Sequence, residues 1–120
     1  MVDIEHEMLV AEGRVAKVVR ECDIEAHLVK RVKQFGGMVR KVKWIGHRNA
    51  PDRVVMIESL GFQGVTIWVE LKRPGGKATF PKDAHERAQH REHERMRALG
   101  QTVVVIDSYE DAENILRLKR

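Results

Sequence analysis

The sequence predicts an α/β fold with a mixed central sheet flanked by helices, in the order α-β-β-β-α-β-α. Three observations lead there. Ile24, Leu28, Val32 and Phe35 recur at the spacing of one helix face. Residues 65–72 (V-T-I-W-V-E-L-K) are rich in β-branched and aromatic side chains and read as a strand. Three strand-like runs form a meander, and a helix followed by one more β-branched run extends it into a mixed sheet.

In chain order, Asp23 is the expected N-cap of the first helix, which runs to residue 35 and stops at Gly36-Gly37. Residues 38–45 read as the first strand, 46–51 as a loop and 53–58 as the second strand. Residues 61–64 (G-F-Q-G) turn the chain into the third strand, and residues 73–76 (R-P-G-G) end it. Pro81 suits the first turn of a long helix ending at Leu99, with Gly100 just past the cap. Thr102–Ile106 is a short apolar strand, expected at the centre of the sheet. Ser108-x-x-Asp111 resembles a capping box that opens a last helix to residue 118.

A chain of 120 residues, 42% hydrophobic and 33% charged, suits one domain with a real core and a heavily ionised surface. No apolar run is long enough for a membrane span. Residues 1–12 hold four acids and no basic cluster, so no secretory signal is expected. The single cysteine, Cys22, excludes an internal disulfide and a cysteine-based zinc cluster, and fits a reducing, cytoplasmic compartment.

The chemistry concentrates at the strand ends. Alternation puts Glu70 and Lys72 on one face, about 6–7 Å apart. Asp52 opens the second strand. If the second and third strands pair at about 4.8 Å, two carboxylates and an ammonium converge on one small volume. Carboxylate oxygens hold a hard divalent cation. A lysine beside it can orient a water or neutralise developing charge, which is the apparatus for metal-dependent phosphodiester hydrolysis. Singly, such residues are common on solvated surfaces. These stand at the ends of buried-looking runs, where a charge needs a partner or a metal.

The net charge of +4 is unevenly placed. Residues 23–53 carry eight Lys and Arg against three acids, which suits a polyanionic partner, although a solvated basic face has the same composition. On the long helix, Gln89, His93, Met96 and Leu99 fall along a stripe facing the sheet, where Gln89 must find a hydrogen-bond partner. An active site or a sheet edge could supply it. His85, His90 and His93 invite a metal reading, but no Cys or further His lies at zinc spacing. A solvated, mixed-charge helix face with Glu86, Arg87, Arg91, Glu92, Glu94 and Arg95 explains them more simply.

Glu25, Gly36-Gly37, Gly46-x-x-x-x-Pro51-Asp52, Glu70-Leu71-Lys72, Pro74-Gly75 and Gln89 occur in an order and spacing that resembles a VRR-NUC domain. That is a branch of the PD-(D/E)XK nuclease superfamily, and the likeness is greatest to its small stand-alone phage and bacterial versions. It covers residues 20–107, so residues 20–120 are expected to form a single domain, with residues 1–19 as an N-terminal extension whose order is left open. The resemblance implies a restriction-endonuclease-like core. It also implies that Asp52 and Glu70 bind Mg²⁺ or Mn²⁺, with the Leu71 carbonyl as a further ligand and Glu25 reaching the metal directly or through water. Lys72 would position or activate the attacking water, and Gln89 would be the auxiliary helix residue of the site. A glycine is common where this chain has Asn49; because Asn tolerates positive φ, the turn is expected to survive.

The expected activity is that of a metal-dependent, structure-selective DNA endonuclease acting on branched DNA such as Holliday junctions. Lys41, Lys43, Arg48 and Arg53 are the candidate DNA contacts. Two coordinated cuts from one site per chain imply a homodimer, working in the cytoplasm of a bacterial cell, a phage origin included. A flap or nicking nuclease would use the same site. A non-catalytic nucleic-acid-binding module would keep the basic face, with its carboxylates structural.

Overall fold

The computed structural model describes residues 18–58 and 64–117. The elements follow one another in the expected order. The expected extension falls almost wholly outside the described residues, as do residues 61–63 of the second turn and the expected helix end at 118.

Helix α1 (Glu21–Gln34) buries Ile24, Leu28 and Val32. It begins before Asp23, not at it. Arg20 is the N-cap, and Asp23, one turn in, accepts the Arg20 N–H at 3.0 Å. The helix ends in a Schellman turn: Gly36 takes φ +80° and donates to Lys33 O, while the Gly37 N–H reaches Val32 O. Gly37 has a second constraint. A Cβ there would stand 2.6 Å from Met56 O, so only glycine lets the chain pass that close to the second strand.

Strand β1 (Met38–Lys41) is shorter than the expected 38–45. The Val42 N–H still donates to Asp52 O, after which the chain leaves the sheet. The Trp44 indole donates to Pro51 O at 2.9 Å and its ring packs on Trp68, with centroids 5.4 Å apart. This tether holds the loop where more strand was expected, and Ile45 is left 93% exposed. Strands β2 (Arg53–Ile57) and β3 (Val65–Leu71) follow.

Helix α2 (Ala84–Ala98) starts after Asp83 rather than at Pro81, because the Asp83 carboxylate caps it by accepting the Glu86 N–H at 2.8 Å. Gly100, at φ +85°, closes it as expected. Strand β4 (Thr102–Ile106) leads into α3 (Tyr109–Leu116), where Ser108 Oγ accepts the Asp111 N–H at 3.0 Å.

Among the described residues the sheet order is β1-β2-β3-β4, antiparallel except for the parallel β3–β4 pair. The α2 crossover makes that parallel pair possible. β4 therefore lies at the edge of the sheet, not at its centre. Its apolar sequence is explained by coverage of its faces, since Ile106 joins the core shared by α1 and α3.

Ile67, Val69 and Leu71 of β3 point into that core, with Val55, Ile106, Ala112 and Ile115. Trp68, Glu70 and Lys72 alternate to the other face, and α2 lies there. The buried residues of α2 are all polar: Glu86, Gln89, Glu92 and His93. A helix that turns such a stripe inwards does not serve as core packing, since buried polar groups need partners. It forms one wall of a site.

Candidate active site

The β2–β3 register pairs Arg53 with Val69 and Val54 with Trp68. Continued by one residue, that register would set Asp52 across from Glu70, whose face also carries Lys72, although the Asp52 carboxylate itself pairs with Arg53. The turn leading to Asp52 is fixed by the Trp44–Pro51 bond and by Asn49, which takes φ +71°. Asparagine thus occupies the left-handed position where a glycine is common.

Glu70 is 9% exposed, and its Oε1 lies 3.3 Å from His93 Nε2. Lys72 Nζ donates to Gln89 Oε1 at 2.7 Å and pairs with Glu86 Oε2 at 3.0 Å. The Phe80 ring covers the same ammonium at 5.1 Å and stacks on His93. Burial pushes the Glu86 carboxyl up, but the Lys82 N–H and the Lys72 ammonium outweigh it, and its pKa is lowered.

Asp52 is largely exposed, and its Oδ1 pairs with Arg53 at 2.9 Å. The same guanidinium donates through Nε and Nη2 to Glu25 Oε2, at 3.0 and 2.7 Å. Burial pulls the Arg53 pKa down, but the two carboxylates overcome it and raise it. Arg53, expected on the DNA-facing surface, instead sits half-buried between two acids and links α1 to the start of β2. Glu25 thus meets Asp52 through Arg53. Lys41, Lys43 and Arg48 are exposed.

Three α2 side chains differ from the expectation of a solvated, mixed-charge face. Glu86 is 6% exposed, Glu92 is buried, and His93 is fully buried. Glu92 pairs with His47 of the loop before Asp52 and with Arg95. Burial raises its pKa, yet the hydrogen bonds from Arg95 and His47 prevail and lower it. His85, by contrast, is exposed as expected. The sheet-facing stripe read from the sequence already held Gln89 and His93; Glu86 belongs to it too, since Glu86, Gln89 and His93 stand at i, i+3 and i+7, the spacing of a single helix face.

"Putative nuclease p44" of Acyrthosiphon pisum secondary endosymbiont phage 1 is 41% identical to this chain over 100 residues, 83% of this chain and 95% of that protein. A solved structure described as a VRR_NUC domain shares the fold at a TM-score of 0.63 with 32% identity, covering 81% of this chain and 94% of its own. The chain belongs to the VRR-NUC nuclease family. No family model matches it. The four-stranded mixed sheet with its helices is the restriction-endonuclease-like core of that family.

Among the described residues, no three His, Cys, Asp or Glu side chains gather as a metal cluster. The donor set that the VRR-NUC resemblance implies is a different one: the carboxylates of Asp52 and Glu70 and the backbone carbonyl of Leu71. An all-oxygen set suits a hard divalent cation. Asp52 is solvent-accessible, and Glu70 spends only one oxygen on His93, so both carboxylates keep acceptor capacity. These residues fit such an ion. Among the described residues, no helix is long and apolar enough to cross a membrane.

Proposed function

We propose that this VRR-NUC protein is a metal-dependent, structure-selective DNA endonuclease that hydrolyses phosphodiester bonds in branched DNA such as Holliday junctions. The observation that carries the reading is Lys72. Its ammonium is held on the Glu70 face of β3, at the strand end where Asp52 enters, by acceptors from a helix that buries no apolar residue.

Asp52, Glu70 and the Leu71 carbonyl would hold Mg²⁺ or Mn²⁺, with Glu25 reaching the ion directly or through water. When bound, the cation supplies positive charge to the phosphate and leaving oxygens. The chain's own groups do the rest. Lys72 orients the attacking water and offsets charge that develops on the phosphate. Gln89 fixes the ammonium, and His93 fixes the Glu70 carboxylate so that one oxygen stays presented to the site. Exposed Lys41, Lys43 and Arg48 supply phosphate contacts, while Arg53 acts on the acids rather than on DNA. Two coordinated cuts require two sites, so the working unit is a C₂ homodimer.

The test is cleavage of four-way junctions, flaps and plain duplex with Mg²⁺, Mn²⁺ or EDTA, with cut sites mapped. Metal-dependent cutting is expected, strongest on branched DNA. Asp52→Ala and Lys72→Ala should lower turnover at least about 1,000-fold while DNA binding persists. Cutting in EDTA, or none on any substrate, rules the reading out. Salt-sensitive binding without cleavage would leave a binding module instead.

A further inference from the structure

We propose that Glu86 is a positioning residue that fixes the Lys72 ammonium for the reaction. The inference rests on the nuclease reading and names a residue that reading does not require.

Glu86 divides its carboxylate between two tasks. Oε1 accepts the Lys82 N–H at 3.0 Å, just ahead of the α2 N-cap, and Oε2 pairs with Lys72 Nζ at 3.0 Å. A helix-start role needs only the first contact. The second holds a carboxylate 6% exposed against an ammonium of limited exposure, a burial that is costly without pairing.

Lysine is a point charge with three donors on a flexible four-carbon stem, so it has little directional order of its own. Here the order comes from α2. Glu86 and Gln89, three residues apart on one face, each take one N–H, and the Phe80 ring covers the group. Of these three contacts only Glu86 carries charge. Two donors are consumed and one is left for a water or a phosphate oxygen. The stem is confined too: a Cβ on Gly76 would stand 3.1 Å from Lys72 Cβ, so the loop after β3 lies directly against it.

Two variants separate positioning from capping. Glu86→Gln keeps an oxygen for the Lys82 N–H, since Gln serves a capping box as Glu does, but removes the charge facing Lys72. Asp83→Ala removes the cap bond to the Glu86 N–H and leaves the Glu86–Lys72 pair in place. Each would be measured for junction cleavage, DNA affinity and melting temperature. The Lys72 ammonium would also be followed by ¹H–¹⁵N NMR, its peak identified by its loss in Lys72→Arg. We expect Glu86→Gln to lower kcat roughly 10–100-fold, with DNA affinity and KM within about twofold of the parent. The ordered ammonium peak should vanish with it. Asp83→Ala should melt earlier yet keep its kcat within about twofold and retain the peak. An unchanged kcat or an intact Lys72 peak in Glu86→Gln overturns the proposal, and so does an equal loss of kcat in Asp83→Ala. Failure of the nuclease reading looks different. The parent protein then cuts no DNA, while the ammonium peak still decides whether Glu86 orders Lys72.

Discussion

His93 shows how far one residue's environment can depart from its sequence neighbourhood. It lies between Glu92 and Glu94, four residues from Gln89, yet it is fully buried, stacked on Phe80 and bonded to Glu70. Its Nδ1 has no hydrogen-bond partner in the structure. The ring therefore contributes volume and one useful nitrogen. His93→Ala removes that volume from between α2 and the sheet and leaves the Glu70 carboxylate with one partner fewer. Loss of a ring of this size from a packed site costs about 2–4 kcal/mol. A urea unfolding curve should show the midpoint falling with an unchanged slope. His93→Gln, which keeps a donor, should recover less of the stability than of the activity, because it restores the bond to Glu70 but not the stacking.

At the scale of elements, the passage from α1 into the sheet is set by Gly37. The Schellman turn brings the chain back against β2, and the missing Cβ is what allows the backbone to approach Met56 O. Val32 Cγ1 and Ile57 Cγ1 would also crowd a methyl there, at 2.9 and 3.0 Å. Gly37→Ala must shift α1 relative to β2, and overpacking of this kind costs about 1–3 kcal/mol. Since α1 carries Glu25 and β2 begins at Arg53, the shift should also disturb the Glu25–Arg53–Asp52 chain of ion pairs. Calorimetry should register the lower melting temperature, and cleavage assays a loss of turnover exceeding that of an equally destabilising change in α3. Helix α2 poses the opposite case. It binds the sheet through polar contacts, so its placement depends on pairing more than on apolar area.

Across the whole molecule, several carboxyls are held below their ordinary range by cations or backbone N–H groups: Asp83, Glu86, Glu92, Asp111 and Glu113. A lowered folded-state pKa means these acids stabilise the fold above their unfolded values, near pH 4, and the contribution is lost as pH falls through the folded ones. Melting temperature should hold from neutral pH to about pH 5 and drop steeply below about pH 4. Removing the Arg31–Glu113 pair with Glu113→Gln should soften that drop. A melting temperature flat down to pH 3 would contradict the assignment. Much of this architecture can be read from local pattern. The apolar period of Ile24, Leu28 and Val32 marks α1, and alternation along 65–72 puts Glu70 and Lys72 on one face, because both depend only on backbone geometry. The loop before Asp52 is likewise legible in Gly46, Asn49 and Pro51. Burial on α2 is only partly legible in this way. Helical spacing puts Gln89 and His93 on the stripe facing the sheet, but Glu86 and His93 find their partners 14 and 23 residues away, across a crossover, and no local pattern names those partners. The amino-acid order by itself thus determined the elements and which strand side chains share a face, since backbone periodicity is local. Tertiary packing decided which charges are buried, that β4 lies at the edge of the sheet among the described residues, and that Arg53 stands between two acids, since pairing and desolvation exist only once distant segments meet.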